Sequence, residues 1–134
     1  MPDNKRPDND NSATREATVA PRVLSFRTTR KRNEHYQMHS PRLALYGIVV
    51  SSPEEYESKA AQFLGSTGSV TCRQCKNRDG DTVKFDGRTD EFASLAPDDC
   101  IKTYYIPDPY EHMAPTNRRY FERQCVTNHE PCRQ

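Results

Sequence analysis

GDTVKFDGRTDEFASLAPDDCIKTYYIPDP, residues 80–109, is the stretch that decides the fold. Apolar and polar residues alternate in bursts at 81–86, 91–96 and 100–106, with Gly, Asp and Pro in the turns between. A fourth burst, SVTCRQC (69–75), precedes them. Short alternating runs at this spacing predict antiparallel hairpins, and Pro107 ends the last. Because side chains alternate along a strand, Val83 and Phe85 share one face, as do Ile101, Thr103 and Tyr105. That face is expected to pack on helices. The other face then carries Lys84, Lys102 and Tyr104 outward on an open side of the sheet.

The helices flank this sheet. A first is predicted over 28–39, capped by Thr28 or Thr29 and stopped by Pro41. It places His35 and His39 at i and i+4 on one face. The following segment, RLALYGIVV, is too short and too β-branched at its end to assign. The second helix is the clearest, in SSPEEYESKAAQFLG. Ser52 is a cap, Pro53 suits the first turn, Glu55 completes a capping box and Gly65 is a stop. Tyr56, Ala60, Phe63 and Leu64 form its apolar stripe. A last helix is predicted over 116–125 from a Thr116 cap, with Phe121 and Cys125 toward the core. The fold class is α+β, with N-terminal helices on one face of a four-stranded antiparallel sheet and a short C-terminal helix. The expected division is a disordered basic and polar tail over 1–27, a folded domain over 28–125 and a tail over 126–134.

Bulk properties bound the function. The chain has 134 residues and is 33% hydrophobic, with a mean hydropathy of −1.04, enough for one domain with part of the chain outside its core. No apolar run reaches the length of a membrane helix. The first 21 residues hold no hydrophobic stretch like that of a secretory leader. The expected location is the cytoplasm, or a target cell reached by a specialised export route. Residues 1–33 carry eight Lys/Arg against four Asp/Glu, and the remainder twelve against fifteen. Arg30, Lys31 and Arg32 lead a run that fits either a solvated tail or a hold on a phosphate backbone.

The five cysteines are an odd number, which reads against a disulfide framework. Cys72 and Cys75 have the spacing of half a zinc site, which Cys125, Cys132 or His129 would complete. Reduced, partly buried thiols are the other reading.

Two histidines beside lysine and tyrosine on a sheet face have the chemistry for metal-free RNA cleavage. One His takes the proton of the ribose 2′-OH, and Lys84 and Lys102 stabilise charge on the phosphoryl oxygens. A hydroxyl of Thr103 or Tyr104 bonds one of those oxygens. A surface helix with two ordinary histidines fits the same residues. The glutamate that a zinc protease carries within such a His pair is absent, since Tyr36, Gln37 and Met38 lie between them.

The order HYQMH, SPEEYESKAAQFL, GDTVKFD, TDEFA, IKTYYIPDP and TNRRYF resembles a bacterial polymorphic-toxin domain of the barnase/colicin/RelE-like (BECR) class. Its pattern reads approximately HxxxH…SPEEYExxAxxFL…NGDxVRYDPxTxEFGVxxxDGxIRTYYKPDPxxHGxxTNxxYF. The resemblance spans about residues 34–122. It implies a metal-independent ribonuclease without a cofactor, RNA as substrate, a cognate immunity protein as partner, and no membrane. A monomer is expected. On this match His35 and His39 are the acid and base candidates. Lys102 and Thr103 match the basic residue and threonine of the last strand, Lys84 the basic residue of the second strand, and Tyr120 the aromatic residue of the final helix. Lys102 and Thr103 should face opposite sides of a regular strand, so both serve one site only near a bulge or strand end. Departures are the long interval between His39 and Ser52, Asp99-Cys100 for Asp-Gly, Ile106 for Lys, Ala93 for Gly, and the extra cysteines. They keep open a non-catalytic, cysteine-rich interaction module on the same fold.

Overall fold

A computed structural model of the chain describes residues 23–66 and 69–133. Of the tail expected over 1–27, residues 1–22 lie outside these, while Leu24 and Phe26 are buried and Ser25–Phe26 is a strand. The described residues form an α+β unit of four helices and one six-stranded mixed sheet. In chain order the elements are β1 (Ser25–Phe26), α1 (Thr29–Leu45), α2 (Pro53–Gly65), β2 (Cys72–Lys76), β3 (Thr82–Asp86), β4 (Phe92–Leu95), β5 (Cys100–Tyr105), α3 (Pro109–His112), α4 (Asn117–Gln124) and β6 (Glu130–Pro131). The sheet order is β1-β5-β4-β3-β2-β6. The four predicted strands are its centre, paired antiparallel. Two-residue strands from the flanking segments complete it, β1 parallel to β5 and β6 antiparallel to β2. Strands of two residues carry no alternation, so periodicity could not reveal them.

Local signals set the helices. The Thr28 hydroxyl accepts from Lys31 N–H and starts α1. Pro41 does not end it, and α1 runs on to Leu45. A proline removes one helical hydrogen bond; here tertiary contacts hold the turn beyond it. Leu43 is fully buried, and the Arg42 guanidinium donates to the carbonyls of Ile106 and Pro107, each at 2.8 Å. In α2 the Ser52 hydroxyl accepts from Glu55 N–H and the Glu55 carboxylate accepts from Ser51 N–H. Its stripe of Tyr56, Ala60, Phe63 and Leu64 is buried as the pattern predicts.

Both faces of the sheet are covered, which corrects the expected open side. Under α1 and α2 lie Cys72, Ala93, Leu95, Ile101 and Tyr104. Under α4 lie Cys75, Val83, Phe85 and Phe92, packed on Phe121. Val83 and Phe85 therefore pack on the C-terminal helix rather than on the N-terminal pair. Parity reports which residues share a face, not which layer covers it.

Two residues expected outward are buried. Lys84 is 2% exposed, and its ammonium donates to the carbonyls of Leu64 (2.8 Å), Ser66 (2.8 Å) and Arg133 (3.1 Å). Two of these carbonyls end α2, where a cation meets the negative end of the helix dipole. The Tyr104 hydroxyl donates to Glu91 at 2.6 Å inside the core, and burial raises its pKa well above that of a free phenol.

The cysteines also depart from expectation. Cys72 bonds to Cys132 and Cys75 to Cys125, leaving Cys100 as the free thiol among the described residues. Three residues apart on an extended strand, Cys72 and Cys75 point to opposite faces, one into each core cluster. They cannot share a zinc ion, and their sulfurs are already bonded. The odd count misled because one cysteine stands apart from two pairs.

Lys84 fixes the end of α2 to the sheet and to the C-terminal segment. Replacing it with methionine strands three carbonyls in a buried place. A Lys84→Met chain is expected to lose roughly 2–4 kcal/mol of stability, read from urea unfolding. A loss below about 0.5 kcal/mol would contradict this structural role.

Candidate functional site

Strand β5 organises the site. Its pairs with β4 run Phe92↔Tyr105, Ala93↔Tyr104 and Ser94↔Thr103, then shift to Leu95↔Ile101. Lys102 is the extra residue, a β-bulge. The bulge lets Ile101 and Tyr104 both enter the core under α1 and α2. It also resolves the parity conflict between Lys102 and Thr103. Lys102 Nζ meets Asp81 at 3.0 Å, and Asp81 stands two residues before Val83 on the α4 face. The Thr103 hydroxyl pairs at 3.0 Å with that of Ser94, which lies opposite Val83. Lys102 and Thr103 thus serve the same side of the sheet.

Helix α1 lays His35 and His39 along the same strand. Their rings are 5.5 Å apart, and Phe26 lies 5.2 Å from His35. His39 stacks on Tyr105 at 4.7 Å and 18°. The Tyr105 hydroxyl pairs with that of Tyr120, from α4, at 2.5 Å. His112, at the end of α3, stacks on Tyr120 at 4.3 Å and 17°. A continuous row of rings therefore joins α1, β5, α4 and α3. Phe92 supports both tyrosines from beneath, at 5.3 and 5.2 Å.

Next to this row is a pocket of ≈ 160 Å³ lined by Arg27, Lys31, His35, Cys100 and Lys102 with the apolar Phe26 and Ile101. His35 Nδ1 is buried without a hydrogen-bond partner among the described residues. Arg27 pairs with Asp98 at 2.9 Å. Of the basic run, Arg30 pairs with Glu34 at 3.2 Å, and Arg32 with Glu54 at 3.4 Å and Glu57 at 3.7 Å. Lys31 is the member of that run that lines the pocket.

Burial sets the protonation states. It pulls the His39 pKa down to about 4, with the neighbouring His35 adding to the effect. His35 is lowered first by burial and then by Lys31. His39 is therefore a neutral imidazole at pH 7, a proton acceptor. An anion entering the pocket favours the charged forms and raises both. Burial, followed by the bond to Tyr120, raises the Tyr105 phenol, so it stays a hydroxyl.

His112 is held differently. Its Nδ1 accepts from Ala114 N–H at 3.1 Å and its Nε2 lies 3.0 Å from Asn117 Oδ1. These partners make Nε2 the protonated nitrogen. Asn117 in turn donates to Asp90 at 3.4 Å. With both nitrogens engaged, His112 positions Tyr120 rather than moving protons.

Of the sequence candidates, His35 and Lys102 line one pocket, His39 and Tyr120 join the row of rings beside it, and Thr103 pairs with Ser94. Lys84 and Tyr104 lie elsewhere, in the core. Sequence reasoning assigned Tyr105 to packing, because it shares parity with Thr103 on a face read as inward. It passed over His112, although the pattern carries a histidine at that point. Ser94, Asp81 and Asn117 carried no signal in the sequence alone. No helix among the described residues is long and apolar enough to cross a membrane. No protein-family model matches the chain, and no curated protein is significantly similar to it.

The His39 shift has a sign that stability measurements can read. A histidine unfolds into water with a pKa of about 6.5, above the folded value of about 4. Between these pH values the unfolded chain binds more protons. The contribution is present above about pH 6.5 and is lost as pH falls toward 4. Melting temperature is expected to fall across this window, and to fall less in His39→Gln. Parallel curves for the two chains would contradict the burial of His39 as a neutral group.

Proposed function

We propose that this chain is a metal-independent endoribonuclease toxin domain of the BECR class, used in interbacterial competition. The observation that supports the reading is the grouping around β5 of His35 and Lys102 in one pocket, with His39 and Tyr120 joined through Tyr105 beside it. Those four residues, His35, His39, Lys102 and Tyr120, are drawn from three separated segments of the pattern, and the bulge at Lys102 puts Thr103 on the same side of the sheet as Lys102.

The scissile phosphate enters the cationic pocket beside His35, Lys31 and Lys102. Neutral His39 takes the proton of the ribose 2′-OH. The 2′-oxygen attacks phosphorus, forming a 2′,3′-cyclic phosphate. The bond from phosphorus to the 5′-oxygen breaks, and His35, protonated when the phosphate binds, gives its proton to that oxygen. Lys102 turns from Asp81 to the phosphoryl oxygens as charge builds there. The hydroxyls of Thr103 and of the Tyr105–Tyr120 pair donate to the same oxygens. A monomer acts alone, and a cognate immunity protein covers this edge of β5.

The ion pair between Lys102 and Asp81 favours a second reading. A cation already neutralised is a weak phosphate ligand, which suits an interaction module without catalysis.

Incubation with RNA in EDTA separates the two. Wild type is expected to yield fragments ending in 2′,3′-cyclic phosphate. His39→Ala and Lys102→Ala should each slow cleavage by about 10²–10⁴-fold. RNA left intact by the folded wild type would support the interaction module and end the enzyme reading.

A further inference from the structure

We propose that residues 125–132 form a redox-closed clasp that holds Tyr120 in the site, so that the domain is competent only once Cys75 and Cys125 are bonded. The activity arm of this proposal rests on the ribonuclease reading; the clasp itself does not.

The segment wraps the edge strand β2 from both sides. Cys125, at the C-cap of α4, bonds Cys75 on one face. Cys132, just past β6, bonds Cys72 on the other. Between them the backbone pairing is short, and side chains add to it: Arg73 donates to His129 Nδ1 at 3.0 Å and to its carbonyl at 3.1 Å, and Arg133 N–H donates to Gln74 Oε1 at 3.1 Å. β6 pairs with β2 through Arg73↔Pro131 and Gln74↔Glu130 alone. Val126 N–H donates to Lys76 O at 2.8 Å, Cys132 N–H to Cys72 O at 3.1 Å, and Lys76 N–H to Thr127 Oγ1 at 2.9 Å.

Helix α4 depends on this anchor. It has 8 residues, with Asn117 and Phe121 buried, well below the roughly 12–15 at which an isolated helix holds in water. Its N-terminal end is tied through Asn117 to His112 and Asp90. Its C-terminal end is tied through Cys125. Tyr120 sits between the two ties and reaches Tyr105. Opening the C-terminal tie frees the turn that carries Tyr120.

Closure is a thiol–disulfide exchange with a protein-disulfide or glutathione-disulfide oxidant. The thiolate of one cysteine attacks one sulfur of the oxidant's disulfide, whose S–S bond breaks to release the other sulfur as a thiolate, and a mixed disulfide forms. The second thiolate displaces the oxidant's thiolate, which leaves with the two electrons, and the protein thiols' two protons pass to solvent. Dithiol reductants reverse it. Cys100 does not compete in the folded chain, since it lies three strands from β2, about 14 Å across the sheet.

The test compares the oxidised full chain with a Cys75→Ala/Cys125→Ala variant and with chain reduced by dithiothreitol. Alkylation of the native oxidised chain without reductant is expected to label one cysteine, Cys100. Amide exchange over 117–132 should rise by about 10²-fold in the variant and in the reduced chain, while α2 amides change far less. RNA cleavage should fall at least about tenfold in both. Labelling of Cys75 or Cys125 in the native chain would overturn the proposal. So would unchanged exchange over 117–132, or loss of protection throughout the chain, which would make the bond a staple of the whole fold. An oxidised chain that leaves RNA intact but shows local release in the variant keeps the clasp and removes the ribonuclease reading.

Discussion

Strand β5 holds one residue more than its antiparallel partner, and that residue is Lys102. An extra residue is left without a cross-strand partner and re-aims the side chains on either side of it. Here it turns Ile101 into the core that Tyr104 also enters. It sends Lys102 and Thr103 toward the other layer. A regular strand of the same sequence would have to expose Ile101 or Tyr104, or separate Lys102 from Thr103. The packing of α1 and α2 and the assembly of the site thus depend on one backbone irregularity. Each requires it for a different reason, and both are satisfied at once.

Burial in this domain is also where its charges are placed. The Lys84 ammonium occupies a cage of carbonyls that joins α2 to the C-terminal segment. A lysine so enclosed is a structural cation, which supplies donors where helix-end carbonyls lack them. The histidines meet the opposite condition. Their rings are partly covered, and at His35 the opposing pull of Glu34 is the smallest cause, so both pKa values are lowered. Lys102 lies between these cases, 44% exposed and paired with a buried Asp81. The sheet therefore carries a cation committed to structure and a half-exposed cation in an ion pair, while α1 carries two histidines with lowered pKa values.

How much of this was legible in the sequence follows from the kind of signal each element gives. α2 was readable to its last residue because cap, stripe and stop agree with one another. The four central strands were readable because turn residues punctuate them. The faces were not, since alternation is blind to which layer lies above. Lys84 reads as surface because nothing in its neighbourhood announces a cage of carbonyls distant in sequence. Pro41 reads as a stop because Arg42 finds its partners sixty-four and sixty-five residues away. The bulge was visible only as a contradiction, two residues of one pattern on opposite sides of a strand. That contradiction pointed to the bulge, which no single motif did.

The disulfides draw loops that are nested, Cys75–Cys125 inside Cys72–Cys132. Strand β2 is made early in this pair of loops, yet its outer edge stays unpaired until residues 130 and 131 arrive. A ribosome adding about 5–20 residues each second therefore releases most of the sheet before its last strand exists. The nascent chain passes through an interval in which a central hairpin has formed and one side is still raw. Such an edge presents unpaired backbone groups until it meets its own closing strand. The order in which the polypeptide emerges is thus built into its covalent map, with β2 made before the strand that covers its edge.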